Sequence, residues 1–323
     1  MNAEKSNSPR EDMRGRQFVS KTRAQETCPL ILENLPSADH ALIDSGNGLK
    51  LERYGKLNII RPEAQALWQP ELPRKIWDKA DAIFTGDTSE EGKGRWQFPN
   101  YELDETWPLS HDGMAYFGRF TSFRHVGVFP EQSAHWQFME EKISERKVQG
   151  GEFRLLNLFG YTGLASLLAA RAGAHVTHVD ASKKAIGWAR ENQTLAELEG
   201  KPIRWICEDA VKFCEREQRR GNTYDGILLD PPKYGRGPKG EVWQLFEDLP
   251  HMIDLVRALT NRESSFTVLT AYAVRASFFS MHETMQEKFG DLGGNIESGE
   301  LVLRTENSDR RLSTSMFSRW VNS

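Results

Sequence analysis

Leu155-Leu156-Asn157-Leu158-Phe159-Gly160-Tyr161-Thr162-Gly163 is the stretch on which the fold turns. An apolar run that ends in a glycine-bearing turn is how a buried strand gives way to a helix. Three later stations repeat the pattern. A second strand stops at Asp180, a third leads to Glu208-Asp209-Ala210, and a fourth ends in Asp230-Pro231-Pro232-Lys233-Tyr234. Strand patterns lie near 153–159, 175–180, 203–207, 225–230 and 265–271, and helical patterns near 165–172, 183–197, 210–219, 250–259 and 276–289. Strict alternation of the two predicts right-handed crossovers and a parallel sheet with helices on both faces. At the end of the chain, strands near 300–304 and 315–321 have too little chain between them for a helix, so they must pair antiparallel. The expected fold class is therefore α/β: a doubly wound, mostly parallel seven-stranded sheet with an antiparallel C-terminal strand.

Upstream the pattern differs. Ala41 to Asp44, Leu49 to Tyr54 and Leu57 to Arg61 alternate as three strands, with Ser45-Gly46-Asn47-Gly48 as the first hairpin turn. Extended segments follow at 96–98 and 115–123. A helix is expected over 131–147, with Trp136, Met139 and Ile143 on one face. The chain thus divides into a flexible tail over 1–27, a small β-rich domain over 28–124 and a Rossmann-like domain over 125–323. The tail's Arg10, Arg14, Arg16, Lys21 and Arg23 are interleaved with Glu11, Asp12 and Glu26, the composition of a solvated segment.

Composition narrows the function. A net charge of -4 argues against a strongly cationic, non-specific nucleic-acid binder, though not against an enzyme with a local basic patch. The three cysteines, Cys28, Cys207 and Cys214, form no CxxC pair and no array with His, which predicts neither a disulfide framework nor a metal site. No window approaches the roughly 18 apolar residues of a membrane span, and the N-terminus has no apolar leader. A cytoplasmic protein with no membrane and no metal is expected.

All four stations fall at strand C-termini, where open α/β sheets bind ligands. Gly160 and Gly163 permit a tight turn, and the helix begun near Thr162 offers free N–H groups to a carboxylate or phosphate. Asp180 follows that turn by about the 20 residues expected of an acid that accepts from ribose hydroxyls. Asp209 is placed either to accept from an adenine amine or to cap the helix at Ala210. The two prolines after Asp230 remove backbone donors and leave carbonyls without partners. Asp230 and the Pro231 carbonyl would then accept from an exocyclic amine while Tyr234 stacks on a flat ring. Lys233, Arg236 and Lys239 sit in the Gly/Pro-rich loop just beyond, where they could hold phosphates. Arg310 and Arg311 are further phosphate candidates, whereas His111, His125 and His135 follow no metal or triad spacing and read as structural.

From about Val126 to its end the chain resembles the class I, Rossmann-fold S-adenosylmethionine-dependent methyltransferases, and among them the large-subunit ribosomal-RNA methyltransferases of the I and K/L type. The run Asn157 to Gly163 is similar to that family's cofactor loop. His125-Val126-Gly127-Val128-Phe129-Pro130-Glu131-Gln132 resembles the segment that precedes its fold and closes over the cofactor. Asp180-Ala181-Ser182, Asp209-Ala210 and Asp230-Pro231-Pro232-Lys233-Tyr234 match the next three stations. The resemblance implies S-adenosyl-L-methionine held by Phe129, Gln132, Asn157, Phe159, Gly160, Tyr161, Thr162, Gly163, Asp180, Ala181, Ser182, Asp209 and Ala210. It implies Asp230, Pro231 and Tyr234 as catalytic residues, and RNA, with ribosomal RNA favoured, as the acceptor partner.

One departure matters. Members that methylate C5 of cytosine carry a cysteine nucleophile near the fourth or fifth strand. Here the fourth ends in Asp230-Pro231-Pro232 and the fifth in Thr270-Ala271-Tyr272-Ala273, and Cys207 and Cys214 read as buried small hydrophobes. Transfer to a base nitrogen is therefore expected over C5 methylation. Three other readings compete: a methyltransferase acting on a protein or small molecule, a nicotinamide-dependent oxidoreductase, and a non-catalytic RNA-binding protein on a methyltransferase fold. The second lacks GxGxxG spacing, and the third leaves the retained Asp180, Asp209 and Asp230 without a use.

Overall fold

The strand Arg154–Leu158 is buried on both faces, which requires a neighbour on each side and a layer of helices above and below. In the computed structural model, which describes residues 29–86, 94–272 and 276–322, it is a central strand of the large sheet. In chain order the strands are β1 (Leu30–Asn34), β2 (His40–Gly46), β3 (Leu49–Tyr54), β4 (Leu57–Pro62), β5 (Ala82–Gly86), β6 (Gly94–Gln97), β7 (Thr106–His111), β8 (Met114–Arg119), β9 (Arg154–Leu158), β10 (His175–Asp180), β11 (Ile203–Cys207), β12 (Gly226–Leu229), β13 (Tyr234–Arg236), β14 (Val242–Gln244), β15 (Ser265–Tyr272), β16 (Asn295–Arg304) and β17 (Arg311–Asn322). The helices are α1 (Arg74–Trp77), α2 (Ser133–Val148), α3 (Leu164–Ala172), α4 (Lys183–Leu195), α5 (Ala210–Arg219), α6 (Leu245–Leu259) and α7 (Phe278–Phe289).

The large sheet runs β1-β16-β17-β15-β12-β9-β10-β11. β9 pairs in parallel with β10 on one side and β12 on the other, and β17 pairs antiparallel with both β15 and β16. The chain builds outward from β9 through β10 to β11, then returns to β12 on the opposite side. That reversal opens a crevice beyond the carboxyl ends of β9 and β12. The α/β class and the antiparallel end are as expected, with helix starts fixed by Ser182, which accepts from Ala185 N–H (3.2 Å), and Asp209, which accepts from Lys212 N–H (3.0 Å).

Two readings need correction. The sheet has eight strands among the described residues rather than seven, because Leu30–Asn34 pairs in parallel with β16 instead of joining the β-rich unit. Gly299 makes this possible: a Cβ there would stand 1.8 Å from the Leu30 carbonyl oxygen. Helix α6 begins at Leu245 rather than near Pro250, which lies inside it. A proline usually opens or breaks a helix, and here the apolar face of Leu245, Met252, Ile253 and Val256 outweighs its lost backbone bond.

The β-rich part is a five-stranded sheet, β2-β3-β4-β5-β6, beside the β7–β8 hairpin. The first turn falls where expected, with Asn47 (φ 53) and Gly48 (φ 76) left-handed. One apolar cluster runs across position 124, joining Tyr54, Ile59 and Tyr116 to Trp136, Leu155 and Val176. The expected tail over 1–27 and Cys28 lie outside the described residues. Among the described residues no helix is long and apolar enough to cross a membrane.

Candidate active site

Between β9 and α3 the backbone takes an unusual path. Phe159 (φ 56), Tyr161 (φ 52) and Gly163 (φ 82) are all left-handed, a conformation costing about 1–2 kcal/mol for each non-glycine residue. The surroundings enforce it. Tyr161 N–H donates to Asp180 Oδ2 (2.9 Å), Thr162 Oγ1 donates to the Gly127 carbonyl (2.6 Å), and Asn192 Nδ2 donates to the Thr162 carbonyl (2.9 Å). Strain retained in this way clusters at ligand sites. Beneath the loop, Asn157 Nδ2 bonds Ser166 Oγ (2.9 Å), which lies 3.0 Å from His178 Nδ1. Gly160 is a glycine because a Cβ would meet the His178 ring at 2.4 Å. Its constraint is this packing underneath as well as the tight turn.

A cavity of about 360 Å³ opens over the ends of β9, β10, β11 and β12. A smaller lobe of about 70 Å³ reaches between the loop and the segment 127–136. Phe129, Gln132, Phe159, Tyr161 and Asp230 border both. Asn157, Gly160 and Thr162 line the small lobe; Asp180, Ala181, Ser182, Asp209, Ala210, Pro231 and Arg236 line the large one. Gly163 stands outside both as the N-cap of α3, where a Cβ would meet Trp205 and Ala189 at 2.9 Å.

Four acids face the large cavity, Glu131, Asp180, Asp209 and Asp230, in distinct environments. Asp180 Oδ1 also accepts from Ser182 N–H (2.7 Å), yet burial pushes its carboxyl up to about 6. Asp209 caps α5, so the capping reading holds, and it borders the cavity as well. Asp230 accepts from Gln132 Nε2 (3.2 Å). Burial, then the charge of Glu131, pushes Asp230 up to about 7. The proline turn is less open than expected, because the Pro232 carbonyl accepts from Trp243 Nε1 (2.7 Å).

Several expected residues fall elsewhere. Tyr234 is 37% exposed on β13 and does not border the cavity, and neither do Lys233 and Lys239. The aromatic wall comes instead from Phe123, His125, Phe129, Trp243 and Tyr272. His125 was read as structural but stands at this wall, 4.7 Å from the Phe129 ring and 5.8 Å from Tyr272. Burial first, then Arg61 and Arg124, hold it well below the usual imidazole range. Arg310 is engaged with the Gln69 carbonyl (2.9 Å) and Glu71 (3.2 Å), and Arg311 with Glu33 (2.7 Å), so both serve the fold. Cys214 is buried as read, whereas Cys207 is exposed at the end of β11; neither borders the cavity. Tyr272 closes β15, the strand beside β12, and a strand end next to Asp230 was the signal that could have found it.

The β-rich unit reaches this wall through a buried ionic network. Arg61 donates to Glu52 Oε2 from Nε (2.9 Å) and Nη2 (2.6 Å), and its Nη1 donates to the Arg124 carbonyl (3.2 Å). Lys50 Nζ stands 3.3 Å from Glu63 Oε2. Arg124 Nη2 then donates to Tyr272 Oη (3.5 Å).

The crystal structure of a methyltransferase from Agrobacterium tumefaciens, described as S-adenosylmethionine-dependent, is 59% identical to this chain and superposes with a TM-score of 0.88, covering 91% of this chain and 94% of that one. The chain belongs to the S-adenosylmethionine-dependent methyltransferases. Its cofactor is S-adenosylmethionine. The family model described as Conserved hypothetical protein 95 matches residues 136–284 of this methyltransferase. SMU.776, solved with S-adenosylhomocysteine, shares the fold at 17% identity (TM-score 0.65; 88% of this chain, 75% of that one). Curated relatives include the ribosomal RNA large subunit methyltransferase K/L of Pseudoalteromonas atlantica, 27% identical over 67% of this chain and 30% of its own. The same enzyme of Shewanella sp. strain ANA-3 is 35% identical over 49% of this chain and 22% of its own. The chain thus spans less than a third of the length of these two relatives.

The donor set fits the cofactor. Asp180 and Asp209 offer acceptors to ribose hydroxyls and an adenine amine across the apolar surface of Phe159, Ala181 and Ala210. The small lobe, bordered by Gly160 and Thr162 before α3, suits an amino-acid carboxylate.

Proposed function

We propose that this methyltransferase transfers the methyl group to a base nitrogen of RNA, with ribosomal RNA as the favoured acceptor. Asp230 is the observation that carries the reading. It stands where the two lobes meet, oriented by Gln132, and is followed by two residues that have no N–H. A carboxylate so placed accepts a hydrogen bond from an N–H nucleophile and repels an anionic acceptor.

In this reading Phe129, Gln132, Asn157 and the loop 159–162 hold the amino-acid end of the cofactor, with Gly163 shaping that loop, and Asp180, Ala181, Ser182, Asp209 and Ala210 hold its adenosine. When bound, the cofactor supplies an electrophilic methyl on a sulfonium sulfur. Asp230 and the Pro231 carbonyl align the acceptor nitrogen's lone pair, with positioning as the main catalytic effect. As the N–C bond forms and the methyl–sulfur bond breaks, leaving S-adenosylhomocysteine, Asp230 takes the proton that the nitrogen sheds, a task suited to a group titrating at about 7. Tyr272 and Phe123 replace Tyr234 as walls for a flat acceptor ring. The segment 28–124 acts as the unit that fixes this wall through Arg61 and Arg124, and Lys233, Arg236 and Lys239 hold phosphates.

The curated relatives' names support the ribosomal acceptor. The test is incubation of deproteinised ribosomal RNA lacking the modification with the enzyme and trideuteromethyl cofactor, followed by nucleoside mass spectrometry. A deuterated N-methyl nucleoside is expected. Label on C5 of cytosine, or transfer only to protein or small amines, would overturn the reading.

A further inference from the structure

The hairpin that follows the Asp230 turn has two unlike faces. β13 and β14 pair as Tyr234↔Gln244, Gly235↔Trp243 and Arg236↔Val242. The pleat sends Gly235 and Trp243 toward the cavity. Trp243 is buried there, its ring 5.0 Å from Phe159 and its Nε1 on the Pro232 carbonyl. The opposite face carries Tyr234, Arg236, Val242 and Gln244, all exposed. Phe246, 58% exposed, extends it at the start of α6. The hairpin is therefore anchored on one face and leaves an aromatic and aliphatic surface open on the other, at the rim of the acceptor cavity.

Charge gives this surface a sign. None of Lys233, Arg236 and Lys239 pairs with a carboxylate among the described residues, and the Arg236 guanidinium lies 5.9 Å from the Tyr234 ring centroid. Of the acids nearby, Glu241 is offset by a cation, while Asp248 and Glu247 keep their charge and turn to Gln244. Glu241 is held by Lys212 (2.5 Å) and the Lys239 N–H (2.8 Å). Asp248 accepts from Gln244 N–H (2.6 Å), and Glu247 accepts from Gln244 Nε2 (2.6 Å). An exposed ring flanked by unpaired cations suits a polyanion whose units also carry flat faces.

We propose that the outer face of the β13–β14 hairpin is a stacking platform for single-stranded RNA, with Tyr234 taking the base that flanks the acceptor nucleotide and Lys233, Arg236 and Lys239 its phosphates. This rests on the proposed RNA acceptor and moves Tyr234 from the target base to its neighbour. Arg236 borders the cavity and also reaches the Tyr234 ring, so it spans the two nucleotides.

Fluorescence anisotropy with a fluorescein-labelled decaadenylate tests the platform. Tyr234→Ala is expected to weaken binding about tenfold, the loss of one base–aromatic stack. Tyr234→Phe should stay within twofold of the original protein. Arg236→Gln should lower both the affinity and the slope of its salt dependence. Calorimetric affinity for S-adenosylhomocysteine is expected to be unchanged in Tyr234→Ala, which shows that the variant is folded. Unchanged RNA affinity in Tyr234→Ala would overturn the platform, as would equal competition by inorganic polyphosphate, the result of charge without stacking. A protein that methylates ribosomal RNA yet ignores the Tyr234 change refutes the platform alone. One that binds no RNA and methylates only other acceptors refutes the proposed function itself.

Discussion

Asp180→Asn separates cofactor binding from folding. In the fold, Asp180 Oδ2 accepts from Tyr161 N–H (2.9 Å) and Oδ1 from Ser182 N–H (2.7 Å). An amide of the same shape can accept one of these and must turn its NH2 toward the other, a donor facing a donor. The charge-assisted bond lost in that way is worth about 1.5–3 kcal/mol. The cost of burying the charge exceeds what such bonds return. A carboxyl raised from 3.8 to about 6 is favoured in its neutral form by about 3 kcal/mol. Because the folded value is the raised one, that burden is absent below about pH 4, grows between about pH 4 and pH 6, and is complete above. The value of about 6 already includes both N–H bonds, so at pH 8 the substitution relieves a net burden and the cofactor-free variant should be the more stable in a urea melt, by up to about 3 kcal/mol. Below pH 4, where the native carboxyl is itself neutral and has lost the same charge-assisted bond, the two should match to about 1 kcal/mol. Cofactor affinity should behave differently. Losing a charged acceptor for ribose hydroxyls removes about 1.5–3 kcal/mol, a Kd raised roughly 10- to 150-fold. Calorimetry with S-adenosylmethionine at pH 8 gives that number. An unchanged Kd would refute the role of Asp180, and a loss of stability above about 3 kcal/mol would show that its main work is structural.

Other perturbations follow from the same geometry. Asp230→Asn should abolish methyl transfer while leaving the S-adenosylhomocysteine Kd within about threefold, a split that paired turnover and calorimetry would show. In the unsubstituted enzyme, transfer should rise with pH through about 7, since Asp230 works as the ionised form and its folded value is the raised one; a flat profile from pH 6 to 8 would contradict the assignment. Glu52→Gln leaves the Arg61 and Lys50 cations buried without their shared partner and should cost about 3–5 kcal/mol in a denaturant melt. Gly299→Ala places a methyl group against the Leu30 carbonyl and should displace β1 at a cost of about 1–3 kcal/mol, seen as faster proteolysis ahead of residue 40.

Much of this was legible in the sequence because the large sheet alternates regularly and its strand ends carry chemistry. Asn157 to Gly163, Asp180, Asp209 and Asp230 could be placed from periodicity and spacing, since parallel strands align their carboxyl ends on one rim. Long-range pairing was not legible. Leu30–Asn34 reads as a short apolar run, and only the bare backbone at Gly299, some 270 positions later, tells it where to pair. The acceptor wall was hidden for a similar reason. His125 and Tyr272 are remote from each other in sequence, and Phe123, His125 and Tyr272 meet only when β15 and the segment before α2 fold over the same cavity. Tyr234 shows the limit of motif reading: the next strand turns its side chain outward, because Gly235 and Trp243 take the inner face.

The most direct measurement is a crystal structure with S-adenosylhomocysteine bound. The account predicts ribose hydroxyls on Asp180, the adenine near Asp209, the amino-acid carboxylate beside Gly160 and Thr162, and the sulfur facing Asp230 and Pro231. A cofactor whose ribose lies away from Asp180, or whose sulfur points away from Asp230, would contradict it.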